Sequence, residues 1–191
     1  MPETSMWCST RWRAENARAL ALTLGLLLSA MQAMAHPELP GSRLQGQATL
    51  SYFGLRIYHA WLWTLPDFHI SQPVEQPLVL ELEYLRGLKG ALIAERSLQE
   101  MRRSAQITDT QAERWLSEMQ RAFPDVKAGD RISGQHLPGQ GARFWHNGRL
   151  VARIDDAQFA RLFFSIWLAP STSQPEMRLA LLGQANAAPP R

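Results

Sequence analysis

The forty residues from Gly129 to Leu168, GDRISGQHLPGQGARFWHNGRLVARIDDAQFARLFFSIWL, constrain the fold more than any other stretch. Pro138-Gly139 and Gly141 break the chain between Ile132 and Phe144. Asn147-Gly148 separates two short runs, Ala142 to His146 and Arg149 to Ile154. Both residues tolerate the positive φ of a type I′ turn, so the pair predicts a tight hairpin. Asp155 or Asp156 then stands where a carboxylate caps a helix, favoured there also by the helix dipole. That helix carries Phe159, Leu162, Phe163, Ile166 and Trp167. A hairpin delivering so apolar a helix is the pattern of a sheet with a helix laid across it.

The rest of the chain supplies the other parts of such a layer pair. Gly46 to Phe53 alternates, with Ala48, Leu50 and Tyr52 on one side, as a half-buried strand does. Leu55 to Trp63 alternates with apolar residues in both sets, which predicts a central strand covered on both faces. Leu78 to Leu85 is a third strand, with Glu81 and Glu83 on its outer side. Leu88 to Arg103 reads as a helix facing inward through Leu88, Ala91, Leu92, Leu98 and Met101, with Glu95 interrupting the stripe. A second helix begins at Thr108 or Asp109, with Thr110 and Glu113 as a capping box. It faces inward through Ala112, Trp115, Leu116, Met119 and Phe123, and stops at Pro124. Ser173 and Glu176 form a further capping box for a short helix, Glu176 to Leu182, closed by Gly183. Strand runs and helix runs are segregated, so the class is α+β with an antiparallel sheet.

The first 35 residues have the order of a secretory signal peptide. Arg11, Arg13 and Arg18 precede the apolar run Ala19 to Ala30, and Ala33-Met34-Ala35 offers a small-x-small cleavage site. The apolar run is shorter than the roughly 20 residues a membrane span needs. We therefore expect a signal peptide at 1–35, one domain at 36–185 and a frayed tail at 186–191, in a periplasmic or secreted protein with no stable membrane span after cleavage. Cys8 is the one cysteine of the 191 residues and falls in that leader. Thiol catalysis, disulfides and zinc–thiolate sites are thereby excluded from the domain. The net charge is +3, its charges are interspersed, and no basic stripe of the nucleic-acid-binding kind is present.

Chemistry is sparse. The five histidines lack metal-ligand spacing on any one element, so no metal and no cofactor is expected. His36 would become the N-terminal residue after cleavage, where an amine and an imidazole together suit copper. However, HPELPG reads as a flexible lead-in. Glu81 and Glu83 share a strand face with nothing to split their pKa values. Ser97, Ser104 and Ser165 have no nucleophile-elbow context. Aromatics crowd the strands and helices. They read first as core, and second as the walls of an apolar pocket with Arg56, Tyr58 and Arg86 as polar anchors.

Four runs carry a family resemblance: YFGLRIYHAWLW, LEYLRGLKGALIAERSLQEM, FPDVKAGDRISGQHLPGQGARFWHNG and DAQFARLFFSIWL. Together they are similar to the bacterial chalcone isomerase-like proteins, over Leu44 to Gly183. The resemblance implies an open-faced β-sandwich, a large antiparallel sheet covered by a layer of helices. Plant members of that family close a flavonoid ring by intramolecular oxa-Michael addition, and other members bind fatty acids without catalysis. The catalytic arginine of the plant enzymes corresponds to about Gln45, with Arg43 two residues away. Their strand threonine falls near Ile57, their tyrosine near Gly90 and their asparagine near Ser97. The hydroxyl on their late helix corresponds to Ser165.

The expectation is a non-catalytic exported protein that binds a small apolar or amphipathic ligand such as a fatty acid, with Arg43, Arg56, Tyr58, Arg86, Ser97 and Ser165 as binding residues. The alternatives are an intramolecular lyase or isomerase with an altered site, and a structural or partner-binding protein whose own aromatics fill the pocket.

Overall fold

The structure is a computed structural model that describes residues 35–185. The expected signal peptide and tail lie outside the described residues, Ala35 excepted. Six strands form one antiparallel sheet in sequential order. They are β1 (Arg43–Tyr52), β2 (Leu55–Thr64), β3 (Leu78–Tyr84), β4 (Arg131–Leu137), β5 (Gly141–His146) and β6 (Arg149–Ile154). Helices α1 (Gly90–Met101) and α2 (Asp109–Ala122) lie between β3 and β4; α3 (Ala157–Leu168) and α4 (Pro175–Leu181) follow β6. This is an α+β sheet with helices on one face, as the sequence implies.

Strand periodicity decides which residues meet the helices. Ala60 pairs with Leu82 and Leu82 with Ile132, and all three are buried under the helix layer. One residue along, Trp61, Glu81, Ser133 and Trp145 line up on the outer face. The core is unusually aromatic. Phe144 of β5 meets Phe123 edge-on at 5.2 Å and Phe163 of α3 at 5.1 Å. Phe163 in turn stacks on Phe159 at 5.6 Å and meets Trp167 at 5.4 Å. Gly134 lies beneath Phe144 and Phe164, where a Cβ would meet their rings at 3.2 and 3.3 Å.

The outer face has no second layer. Strand β2 runs between β1 and β3, but its outer Trp61 and Trp63 are covered by side chains rather than by an element. The Arg131 guanidinium stands over Trp61 at 5.4 Å, and the His36 ring lies 5.7 Å from Trp63. The segment His36 to Ser42 is not a flexible lead-in. His36 and Leu39 are buried, the His36 backbone N–H donates to Ser42 Oγ at 3.0 Å, and Gln135 donates to the Glu38 carbonyl at 2.6 Å. His36 Nε2 sits 3.3 Å from Glu81, and this hydrogen bond, with Arg131 and Ser133 beside it, holds the Glu81 carboxyl below its usual range.

Caps and helix faces differ from the sequence reading in three places. The box on α2 is Thr108 with Gln111, not Thr110 with Glu113, because helical geometry begins at Asp109. Helix α4 begins at Pro175 after Gln174, without a side-chain cap, so the Ser173–Glu176 box does not form. Helix α1 keeps part of its expected face: Leu98 and Met101 are buried as expected, with Gly90, Ala94 and Ser97 beside them, while Ala91, Leu92 and Glu95 are exposed. Asp156 caps α3 as expected, accepting from the Phe159 N–H at 2.9 Å and from the Trp115 indole at 2.9 Å.

Candidate ligand cavity

The site lies under α1. Gly90, Ala94 and Ser97 on its inward side are small, and a Cβ on Gly90 would stand 2.0 Å from the Phe123 carbonyl oxygen. The N-terminal end of α1 is thus drawn onto the end of α2. A cavity of about 340 Å³ remains between α1, α3 and the β1–β3 end of the sheet. Its floor is Leu50, Ile57, Leu82 and Ile132; its roof is Ile93 of α1 with Phe163, Ile166 and Trp167 of α3. Tyr52 and the exposed Leu92 stand at its edge. The volume falls in the lower part of the roughly 300–1,000 Å³ range of small-molecule sites.

One side of the cavity is polar. Arg96 pairs with Glu100 one turn along α1. The second Glu100 oxygen is buried without a hydrogen-bond partner and lies 3.6 Å from Arg103 Nε. Arg103 lies outside the lining and also donates to the Ser171 carbonyl at 3.2 Å, so Arg96 is the one cation that lines the cavity. The Trp167 indole donates to the Tyr58 hydroxyl at 3.0 Å, so the Tyr58 proton is available to a guest. Burial pushes the Tyr58 pKa up to about 12, which keeps it a neutral donor. Ser97 donates to the Ile93 carbonyl at 2.8 Å and keeps acceptor capacity. This arrangement offers an apolar chain a dry wall, and a polar head one guanidinium, one phenol and one hydroxyl. Among the described residues no cluster of three or more His, Cys, Asp or Glu side chains is placed to hold a metal.

Of the six residues expected in a site, the cavity brings together Tyr58 and Ser97. Arg43 is at the far end of β1, exposed, and donates to the Pro66 carbonyl at 3.2 Å. Arg56 and Arg86 flank a shallow surface depression with Leu55 and Leu85. Ser165 is buried but donates to the Arg161 carbonyl at 2.7 Å within its own helix and is not a lining residue. Arg96, Glu100, Trp167, Ser173 and Gln174 also line the cavity with polar groups and are not among the six expected residues. The signal for two of them was the i, i+4 spacing of Arg96 and Glu100 on the face that also holds Ile93 and Ser97.

A sequential six-stranded antiparallel sheet with helices over one face, enclosing a cavity beneath them, defines an open-faced sandwich of the chalcone isomerase type. The sequence profile of chalcone isomerase-like proteins matches residues 41–183, and the chain belongs to that family. It is 31% identical over 142 residues to an uncharacterised protein of Haemophilus influenzae, covering 74% of this chain and 68% of that one. Its fold is similar to the crystal structure of a fatty-acid binding protein of Arabidopsis thaliana. The TM-score is 0.59 at 12% identity, over 81% of this chain and 97% of the plant chain.

Proposed function

We propose that the protein binds a small amphipathic ligand of the fatty-acid kind in the cavity beneath α1 and α3, without transforming it. The observation that carries this reading is the pairing of an apolar 340 Å³ space with a polar part of its lining, to which Arg96 and the free proton of Tyr58 both belong. A carboxylate head suits that side because the Arg96 guanidinium, held by Glu100, lines it together with the Tyr58 hydroxyl. The size of the space favours a short or medium chain. The fatty-acid binding of the Arabidopsis protein of similar fold adds support. The leader-like residues 1–35 support export of this binder, which we include in the proposal.

An intramolecular lyase draws less support. It needs preorganised donors at a developing oxyanion. The resemblance puts the plant enzymes' arginine at about Gln45, their threonine near Ile57 and their tyrosine near Gly90, none of which supplies the same group, and the Ser165 hydroxyl is committed to its own helix. The reading of an aromatic-filled pocket is disfavoured by the open volume itself. Titration of the protein with dodecanoate tests the proposal. Saturable one-site binding, weakened at least about tenfold by Arg96→Gln through loss of a charged hydrogen bond, is expected. Ring closure of a chalcone by the wild-type protein, or no binding of any C8 to C14 acid, overturns it.

A further inference from the structure

Two tight hairpins in this sheet have almost the same turn backbone and very different chemistry. In the β5–β6 turn, Asn147 and Gly148 have φ of 50° and 77°. In the β1–β2 turn, Phe53 and Gly54 have φ of 48° and 75°. Asparagine is the residue such a position favours, whereas a bulky side chain at positive φ is strained. The chain therefore holds a phenylalanine where its own second hairpin shows the stable choice. Nothing inside the fold repays that strain, because Phe53 is 88% exposed. Its neighbours Tyr52 and Leu55 are 58% and 53% exposed, and the Tyr52 ring meets the Phe53 ring at 4.5 Å.

Charge beside this tip says what covers it. Arg56 follows Leu55 directly, and Arg86 lies next to it because the Leu85 N–H bonds the Ile57 carbonyl at 2.9 Å. Leu55, Arg56, Leu85 and Arg86 together line the surface depression, about 270 Å³ in volume. Among the described residues neither arginine has a carboxylate within ion-pair distance. Nearby Lys89 is already matched by Asp125 at 2.7 Å. Two free guanidiniums at the base of an apolar, aromatic tip suit a phosphodiester head beneath which rings enter the acyl boundary.

We propose that the β1–β2 tip docks the protein onto a bilayer surface rich in anionic phospholipid. Phe53, Tyr52 and Leu55 enter the interface, and Arg56 and Arg86 hold lipid phosphates. Tyr52 belongs both to the tip and to the edge of the cavity, so docking sets the cavity edge against the membrane. The docking surface stands on the tip alone and does not depend on which ligand the cavity takes.

Cosedimentation of the full chain with phosphatidylcholine vesicles, with and without phosphatidylglycerol, tests this. The informative variants are Phe53→Asn, which suits the turn and keeps the fold, and the double change Arg56→Gln with Arg86→Gln. The apolar run at 19–30 is present in every form, so differences between forms read the tip. Partition onto phosphatidylglycerol vesicles is expected to drop at least about tenfold in the double variant, since each basic side chain near an anionic surface counts several-fold, and at least about tenfold in Phe53→Asn, since a buried ring contributes roughly 1.5–3 kcal/mol. Salt is expected to weaken the wild type and to affect the double variant less. Equal partition of all three forms overturns the proposal. So does concentration-dependent self-association by light scattering that Phe53→Asn abolishes, because the patch is then an interface between copies.

Discussion

At the scale of single residues, two side chains carry separable consequences. Tyr58 accepts the Trp167 indole proton inside the cavity wall. Tyr58→Phe removes the acceptor and strands a buried N–H, which costs about 1–3 kcal/mol. Chemical denaturation should show that loss together with weaker dodecanoate binding, whereas an effect on neither would separate Tyr58 from the site. His136 donates from Nε2 to the Val74 carbonyl at 2.8 Å, while its Nδ1 is buried without a partner. Burial holds its pKa below the ordinary imidazole value. The unfolded chain thus takes up a proton near pH ~6.5 that the folded chain refuses. More protons on the unfolded state mean that stability falls as the pH drops from above that value toward the folded pKa. Urea midpoints across this window should fall for the wild type and stay flatter for His136→Gln, the other histidines being common to both.

At the scale of elements, the tightest approaches are made through glycine and a carboxylate cap. A Cβ on Gly46 of β1 would stand 2.2 Å from the Ala180 carbonyl and 2.4 Å from that of Leu181 in α4. Backbone cannot yield as a flexible side chain does, so Gly46→Ala should cost about 3 kcal/mol or displace α4. Thermal unfolding with amide exchange across 175–182 distinguishes these outcomes. Asp156 caps α3, accepts from Trp115 and pairs with Arg114. Burial works against its charged form, but these donors outweigh it and lower its pKa. Asp156→Ala should cost about 2 kcal/mol, at the upper end for caps, because the buried indole also loses its acceptor.

Much of this level was legible in the sequence. Asn147-Gly148 and Asp156 announced a turn and a cap by local chemistry, and strand alternation placed Leu80 and Leu82 inward. Helix α1 was legible as an element, with Leu98 and Met101 inward, but its buried seam also runs through the small residues Gly90, Ala94 and Ser97. Ala91 and Leu92 are exposed instead, and the polar pair Arg96 and Glu100 gave no apolar signal. Arg43 and Ser165 do not line this cavity, for another reason. Position in the chain fixed neither the end of the strand where Arg43 lies nor the hydrogen bond that Ser165 makes within its helix.

At the scale of the molecule, the sheet is a one-sided platform. Its outer face is closed by side chains and by His36 to Ser42, while its inner face is packed with rings from β5 to α3 and left open under α1. The aromatic half lies beside the cavity half, and through Tyr52 the cavity edge reaches the exposed tip of β1 and β2. No helix among the described residues is long and apolar enough to cross a membrane. A binder of this form gains stability from its ligand by mass action.

The most direct measurement compares thermal unfolding with and without dodecanoate, in the wild type and in Ser97→Phe, which places a ring in the cavity. At a hundredfold excess over the dissociation constant a one-site ligand contributes about 2.7 kcal/mol. For a domain of this size that raises the melting temperature by roughly 5–10 °C. This rise is expected for the wild type, with little or none for a folded Ser97→Phe. Equal shifts in both proteins, or no shift in the wild type, would contradict binding in this cavity.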